Sequence, residues 1–315
     1  MRALVSGAAG FVGSHLARRL SSEGYEVIGL DSFTDYYDVN LKRANAQAVV
    51  QAGVDFIEAD LNSADLNGIL DGIELVFHLA GQPGVRSSWG TEFSTYTYCN
   101  VDATQRLLEA SRGCSTLRRL VYASSSSVYG NAERYPTGEG DRPQPLSPYG
   151  VTKLAAEHLC NLYATSFQVP TVSLRYFTVY GPGQRPDMAF CRFAQAAARG
   201  DEITIYGSGQ QIRDFTYIDD VVEANLLAGT RDVSPGTVLN VAGGSHASVN
   251  EVLQIFENLV GSQLSVTRID AVAGDVRRTS GDTTAIRSVL GWRPTVSLSE
   301  GIARQFGWAS GLASS

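Results

Sequence analysis

No apolar run in this chain of 315 residues reaches the roughly 18 residues that a membrane-crossing helix needs, so the sequence offers no span. Positive charge is also short. With 25 Lys and Arg against 32 Asp and Glu, the formal net charge is −7, which argues against nucleic acid and anionic membrane surfaces as main partners. The four cysteines (Cys99, Cys114, Cys160 and Cys191) have neither CxxC nor metal-ligand spacing, and are expected to be reduced and buried in a cytoplasmic protein. The four histidines do not cluster with carboxylates, so no metal is expected. The first residues read as a β-strand and not as a signal peptide. What remains is ordinary for a soluble enzyme, with 43% hydrophobic and 18% charged residues and enough length for one large core or two.

The N-terminus carries the first positive signal. Ala3-Leu4-Val5 reads as a short buried strand that runs into Gly7-Ala8-Ala9-Gly10-Phe11-Val12-Gly13, and a helical pattern of Phe11, Leu16 and Leu20 follows. A strand, a glycine-rich turn and a helix start together present backbone N–H groups to a pyrophosphate. Gly7 supplies the tight turn, Gly10 the close approach to the ligand, and Gly13 the close packing of helix on strand. The spacing is Gly-x2-Gly-x2-Gly. A second apolar run, Val27 to Leu30, ends at Asp31, 18 positions after Gly13. An acid there binds adenosine ribose hydroxyls and favours NAD over NADP. Lys42 and Arg43 leave a 2′-phosphate, and hence NADP, open.

A second signal lies at Ser147-Pro148-Tyr149-Gly150-Val151-Thr152-Lys153. Ser147 suits a helix cap and Pro148 a first helical position. Tyr149 and Lys153, four residues apart, then share one helix face. A free tyrosine has a pKa of about 10, and a neighbouring ammonium lowers it toward the range of a useful base.

Between and around these signals the pattern alternates. Strands are expected at Val54–Glu58, Leu75–His78, Leu120–Ala123 and Thr171–Arg175, with helices near 40–51, 91–112 and 148–167. This predicts an α/β fold, a doubly wound parallel Rossmann sheet, over residues 1–175. A smaller α/β C-terminal substrate domain is expected over 176–315, with some segments interleaved. Ligands in such sheets sit at the carboxyl ends of strands. There the chain places Gly7, Asp31, Asp60-Leu61, His78-Leu79-Ala80-Gly81-Gln82, Ser124 to Ser127 and Tyr176. Arg134 to Pro148, with four prolines, reads as a loop over the site.

Taken together, the glycine turn, the serine-rich strand end, Tyr-x3-Lys and a downstream Arg213-Asp214-Phe215 resemble the extended short-chain dehydrogenase/reductases that act on nucleotide sugars. The resemblance covers essentially the whole chain. It implies bound NAD held by Gly7, Gly10, Phe11, Val12, Gly13, Asp31, Asp60, Leu61, Leu79, Ala80, Gln82, Asn100, Tyr149, Lys153 and Tyr176. It implies a UDP- or dTDP-sugar in the C-terminal domain. It further implies that Tyr149 takes the 4-hydroxyl proton, that Lys153 holds the nicotinamide ribose and tunes Tyr149, and that Ser125 bonds the sugar 4-oxygen. A homodimer through the helices near 91–112 and 148–167 is implied too. The chain departs mildly from the family at Asn100-Val101-Asp102-Ala103-Thr104, which lacks the usual Gly, and at Ala80-Gly81-Gln82-Pro83.

The segment after Ser125 separates subfamilies. Dehydratases of this kind carry Asp-Glu at the positions of Ser126 and Ser127, because loss of water needs an acid and a base. UDP-glucuronate decarboxylases carry Glu at the position of Ser127. Two hydroxyls stand here instead, and inversion at C4 needs no acid or base beyond Tyr149. The run Asp31 to Arg43 and the segment Phe177 to Met188 resemble UDP-glucuronate 4-epimerases. The resemblance implies a C6 carboxylate held by Ser126, Ser127, Thr178 and Arg185. Arg213 matches the family's diphosphate arginine; Arg277, in Gly274-Asp275-Val276-Arg277-Arg278, is a second candidate for the diphosphate, and Tyr206, after the strand Ile203-Thr204-Ile205, is a candidate to stack on uracil. Arg86 serves either substrate or fold. The rival readings are a UDP-glucose or UDP-GlcNAc 4-epimerase, a UDP-glucuronate decarboxylase, and a non-catalytic NAD-sensing protein.

Overall fold

The computed structural model describes residues 1–270 and 276–313. Its first half runs β1 (Arg2–Ser6), α1 (Phe11–Ser22), β2 (Glu26–Asp31), α2 (Val39–Gln51), β3 (Asp55–Glu58), α3 (Leu66–Leu70), β4 (Leu75–His78), α4 (Phe93–Tyr96), α5 (Ala103–Arg112), β5 (Arg119–Ser125) and α6 (Pro148–Phe167). The chain continues with β6 (Thr171–Tyr176), β7 (Thr178–Tyr180), α7 (Ala189–Arg199), β8 (Ile203–Tyr206), β9 (Ile212–Tyr217), α8 (Ile218–Thr230) and β10 (Thr237–Val241). It closes with β11 (Ser245–Ser248), α9 (Val249–Val260), β12 (Val266–Ile269), α10 (Thr284–Leu290) and α11 (Leu298–Ala313).

Seven strands form one sheet in the order β3-β2-β1-β4-β5-β6-β10, and every pairing in it is parallel. Buried side chains alternate between its faces, as the two-residue period of a strand requires. Ala3, Val5, Phe77, Val121 and Val172 enter one core, and Leu4, Val76, Leu120 and Tyr122 the other. The first core continues into the C-terminal half through Phe190, Phe215, Phe256 and Trp292. Residues beyond 176 also return to the main sheet. There β10 pairs with β6, and α8 packs on α1 and β5. Two small sheets, β11-β9-β7 and β12-β8, stand beside the large one.

Local chemistry sets the elements that matter for the site. The Ser147 hydroxyl accepts from the Gly150 N–H at 3.1 Å and Pro148 occupies the first turn, which fixes where α6 begins. Gly7 has φ of 75°, and a Cβ at Gly13 would lie 2.0 Å from the Gly7 carbonyl oxygen, so no larger residue fits where α1 crosses the turn. The expected continuous helix at 91–112 is instead broken. Gly90–Glu92 is a 3-10 turn, Phe93–Tyr96 is α-helical, Thr97–Asp102 is a π turn, and α5 begins at Ala103. The reason is tertiary. Asn100 is drawn inward to bond both the N–H and the carbonyl of Gln82 and the Thr152 hydroxyl, and the extra residue of a π turn accommodates it.

One buried ion pair ties this layer together. Arg175 on β6 meets Glu157 on α6 through Nη2–Oε1 at 2.6 Å and Nε–Oε2 at 3.0 Å, with side chains only 5% and 2% exposed. Glu157 also accepts from the Ser124 hydroxyl at 2.6 Å, and Arg175 donates to the Tyr129 hydroxyl at 2.7 Å. Removing one partner strands the other charge in the core. Glu157→Gln should therefore lower unfolding free energy by about 3–5 kcal/mol in urea titration. A change under about 1 kcal/mol would mean that the pair is not structurally required.

Candidate active site

The carboxyl ends of β1, β2, β4 and β5 open onto a cavity of about 430 Å³. Its wall includes Gly7, Gly10, Phe11, Val12 and Gly13 from the glycine turn, and Asp31 from the end of β2. Asp60, Leu61, Leu79, Ala80, Gln82, Asn100, Tyr149, Lys153 and Tyr176 complete the sequence-derived cofactor set, and all of them line it. Asp31 is buried and braced by the Ala9 N–H at 3.1 Å and the Phe33 N–H at 2.8 Å. Lys42 is buried, lies 4.0 Å from Asp31 and donates to the Thr34 hydroxyl at 2.8 Å. Arg43 points away to Glu58 at 3.7 Å. Arg43 is thus turned from the cavity, whereas Lys42 lines it beside Asp31, whose carboxylate suits ribose hydroxyls.

Tyr149 and Lys153 project from the first two turns of α6 into this cavity. Burial pushes the Tyr149 phenol above its ordinary value, against the lowering effect of a hydrogen bond from Ser125 and of the Arg185 charge. The sequence pointed to Lys153 as the cation that lowers Tyr149. The Arg185 charge is a further one that lowers it. Burial holds Lys153 itself down at about 8, with Cys160 and Glu157 opposing. Lys153 Nζ lies 4.5 Å from the Tyr122 ring centroid. His78 is fully buried between the Ser6 and Thr104 hydroxyls and is pushed down to about 3 by burial and the Lys153 charge, so it stays neutral.

A second cavity of about 610 Å³ adjoins the first, and Phe11, Val12, Ser124, Tyr149, Tyr176 and Arg185 line both. Ser125, Ser126, Ser127, Thr178 and Tyr206 line this second cavity. Arg213 and Arg277 are not among its lining residues. Arg213 Nη1 donates to the Ile212 carbonyl at 3.0 Å, and Arg277 is exposed with its carbonyl accepting from the Ile212 N–H at 3.2 Å. Gly274 and Asp275, which precede Arg277 in its motif, lie outside the described residues. Arg86 covers one face of the Tyr206 ring, with its guanidinium 4.0 Å from the ring centroid.

The sequence did not single out Tyr36, Asp187 or Arg192, which also line this cavity. Asp187, two residues beyond Arg185, was the nearest available signal. Of the cysteines, Cys160 and Cys191 are buried, but Cys99 and Cys114 are only half-buried, because the π turn brings Cys99 to the cofactor cavity and Cys114 sits in the turn after α5. No group of metal-ligating side chains occurs among the described residues.

The chain is similar to known proteins along most of its length. Residues 3–242 match the model of the NAD dependent epimerase/dehydratase family. An uncharacterized UDP-glucose epimerase of Bacillus subtilis (strain 168) is 42% identical over 314 residues, 99% of either chain. A probable UDP-glucuronate 4-epimerase of Rhizobium meliloti (strain 1021) is 36% identical over 332 residues, 98% of this chain and 96% of that one. The crystal structure of UDP-glucuronic acid 4-epimerase from Bacillus cereus, in complex with UDP-glucuronic acid and NAD, superposes with a TM-score of 0.95. It is 41% identical over 99% of this chain and 100% of that one.

The depressed Lys153 makes a signed prediction. Between pH 8 and 10.5 the unfolded chain binds a proton at this residue that the folded chain has shed, so this contribution to stability rises with pH across that window. Lys153→Met removes the cost of burying an ammonium. In ligand-free protein the variant should gain stability over wild type at pH 7, and the gain should shrink as pH passes 8. A gain independent of pH would show that Lys153 is not desolvated in this way.

Proposed function

Since the chain belongs to the NAD-dependent epimerase/dehydratase family, we propose that it inverts C4 of UDP-glucuronate to give UDP-galacturonate, reversibly. The observation that carries this reading is the wall facing Tyr149. It presents Ser125, Ser126, Ser127 and Thr178 together with Arg185, and its one lining carboxylate among the described residues, Asp187, is already paired to Arg185. A C6 carboxylate finds donors there. Elimination of water finds no free acid and base pair.

NAD, the cofactor, accepts the C4 hydride and later returns it. The residues of the chain do the rest. Tyr149 takes the O4 proton and gives it back after the sugar has turned, while Ser125 shares the hydrogen bond at O4. Lys153 places positive charge beside the ribose, and Asn100 fixes the 80–82 loop against α6. Ser126, Ser127, Thr178 and Arg185 hold the carboxylate. Arg86 and Arg192, at the cavity wall, are better placed than Arg213 or Arg277 for the diphosphate. Residues 1–175 carry nearly all of the cofactor contacts and share the sugar-nucleotide contacts with 176–315.

We also assign a homodimer. Val151, Leu162 and Phe167 on α6, with Phe93 and Tyr98 on the neighbouring broken helix, leave large apolar side chains 41–54% exposed. No described helix is long and apolar enough to cross a membrane. Free cysteines fit a cytoplasmic location.

Incubation of the protein with UDP-glucuronate and NAD should yield UDP-galacturonate without UDP-xylose. UDP-xylose as the main product would make it a decarboxylase, and turnover of UDP-glucose alone would place it with the neutral-sugar epimerases. Tyr149→Phe should cut turnover by about a thousandfold while NAD still binds. A variant retaining most of its rate would displace Tyr149 as the base. Leu162→Glu should convert a dimer to a monomer in light scattering, and a monomeric wild type would remove the dimer assignment.

A further inference from the structure

We propose that Asp187 is a specificity-determining residue, a carboxylate of the chain that holds Arg185 with one edge presented to the C6 position of the sugar. The inference rests on the UDP-glucuronate reading above.

Arg185 Nε and Nη2 meet Asp187 Oδ1 and Oδ2 at 2.9 and 3.0 Å, a side-on bidentate pair. A guanidinium has five N–H donors, and this pair uses two of them. The two on Nη1 and the second on Nη2 remain, and together they form the end-on edge that matches another carboxylate. Arg185 lines both cavities, and its charge reaches Tyr149. Arg185 therefore stands at the space where the reacting hexose must sit.

Asp187 is itself braced. Tyr36 donates its hydroxyl to Asp187 Oδ2 at 3.5 Å and accepts from the Ser87 hydroxyl at 3.2 Å. Ser87 in turn lies 2.8 Å from the Tyr96 hydroxyl, which donates to the Pro83 carbonyl at 2.8 Å. Three loops, 32–38, 83–88 and 181–188, are thus tied to one guanidinium. The approach depends on Gly84, whose φ is 102° and whose added Cβ would stand 2.1 Å from the Tyr36 hydroxyl oxygen. An arginine on its own flexible stem offers no fixed plane. An arginine clamped on one side does.

The fixed plane matters because the oxidised substrate is a β-keto acid. If its C5–C6 bond aligns with the π-system of the 4-carbonyl, the electron pair of that bond passes into an enolate and CO2 leaves. C5 then takes a proton from water, and return of hydride to C4 gives a UDP-pentose. A carboxylate held by the end-on edge of a clamped Arg185 stays out of that alignment.

The test is product partition from UDP-glucuronate with the full chain and NAD. The ratio of UDP-pentose to UDP-galacturonate does not depend on how much protein folds. Asp187→Ala should raise that ratio at least about tenfold over wild type, and Asp187→Asn, which keeps one acceptor oxygen, should raise it less. Tyr36→Phe should shift it in the same direction. An unchanged ratio in both Asp187 variants overturns the proposal, including when the total rate falls, since that pattern marks mere support of the loop. Loss of both products with NAD still bound but no reduced nicotinamide formed also overturns it, because that pattern marks Asp187 as support, through Arg185, of the Tyr149 chemistry at C4 and not of the C6 carboxylate. A wild type that makes no UDP-galacturonate would overturn the underlying reading and this inference with it.

Discussion

The position of α6 against the ends of β5 and β6 is the constraint on which the site depends, and the Glu157–Arg175 pair supplies it. Both groups are almost wholly removed from water, so their attraction is directional and their separation costly. Glu157 sits one turn beyond Lys153 and bonds Ser124, the first of the serine run. One carboxylate thus places the helix that carries the tyrosine and lysine and the strand end that carries the hydroxyls. The Asn100 clamp does the same from the other side, bonding Gln82 and Thr152.

Burial then determines the chemistry. It raises Tyr149, lowers Lys153 to about 8 and keeps His78 neutral. A phenol in such surroundings is a poor base until cations and donors compensate for desolvation. Ser125 and Arg185 are the compensating groups that the chain itself provides. Arg185 therefore stands where two tasks meet, beside the phenol and beside the cavity for the sugar.

Much of this was legible in the sequence, and the reason is locality. The glycine turn, the Ser147 cap with Pro148, and the four-residue step from Tyr149 to Lys153 are encoded within a few neighbours, so α6 begins where the sequence placed it. The broken helix at 91–112 was not legible, because its π turn answers to partners at Gln82 and Thr152, far away along the chain. Contacts across the cleft were hidden for the same reason. Nothing in the neighbourhood of Tyr206 announces that Arg86 covers its ring, and nothing near Tyr36 announces Asp187. Arg86 and Arg192 reach the cavity wall from segments that carry no motif announcing them.

The central claim is that C4 is inverted by removing and returning one hydride while the neighbouring carbons are untouched. The most direct measurement is turnover of UDP-glucuronate carrying deuterium at C4, in ordinary water, with the label in the product located by NMR. The account predicts UDP-galacturonate with deuterium retained at C4. Loss of that deuterium to solvent, or incorporation of solvent hydrogen at C5 when the reaction is run in heavy water, would contradict it.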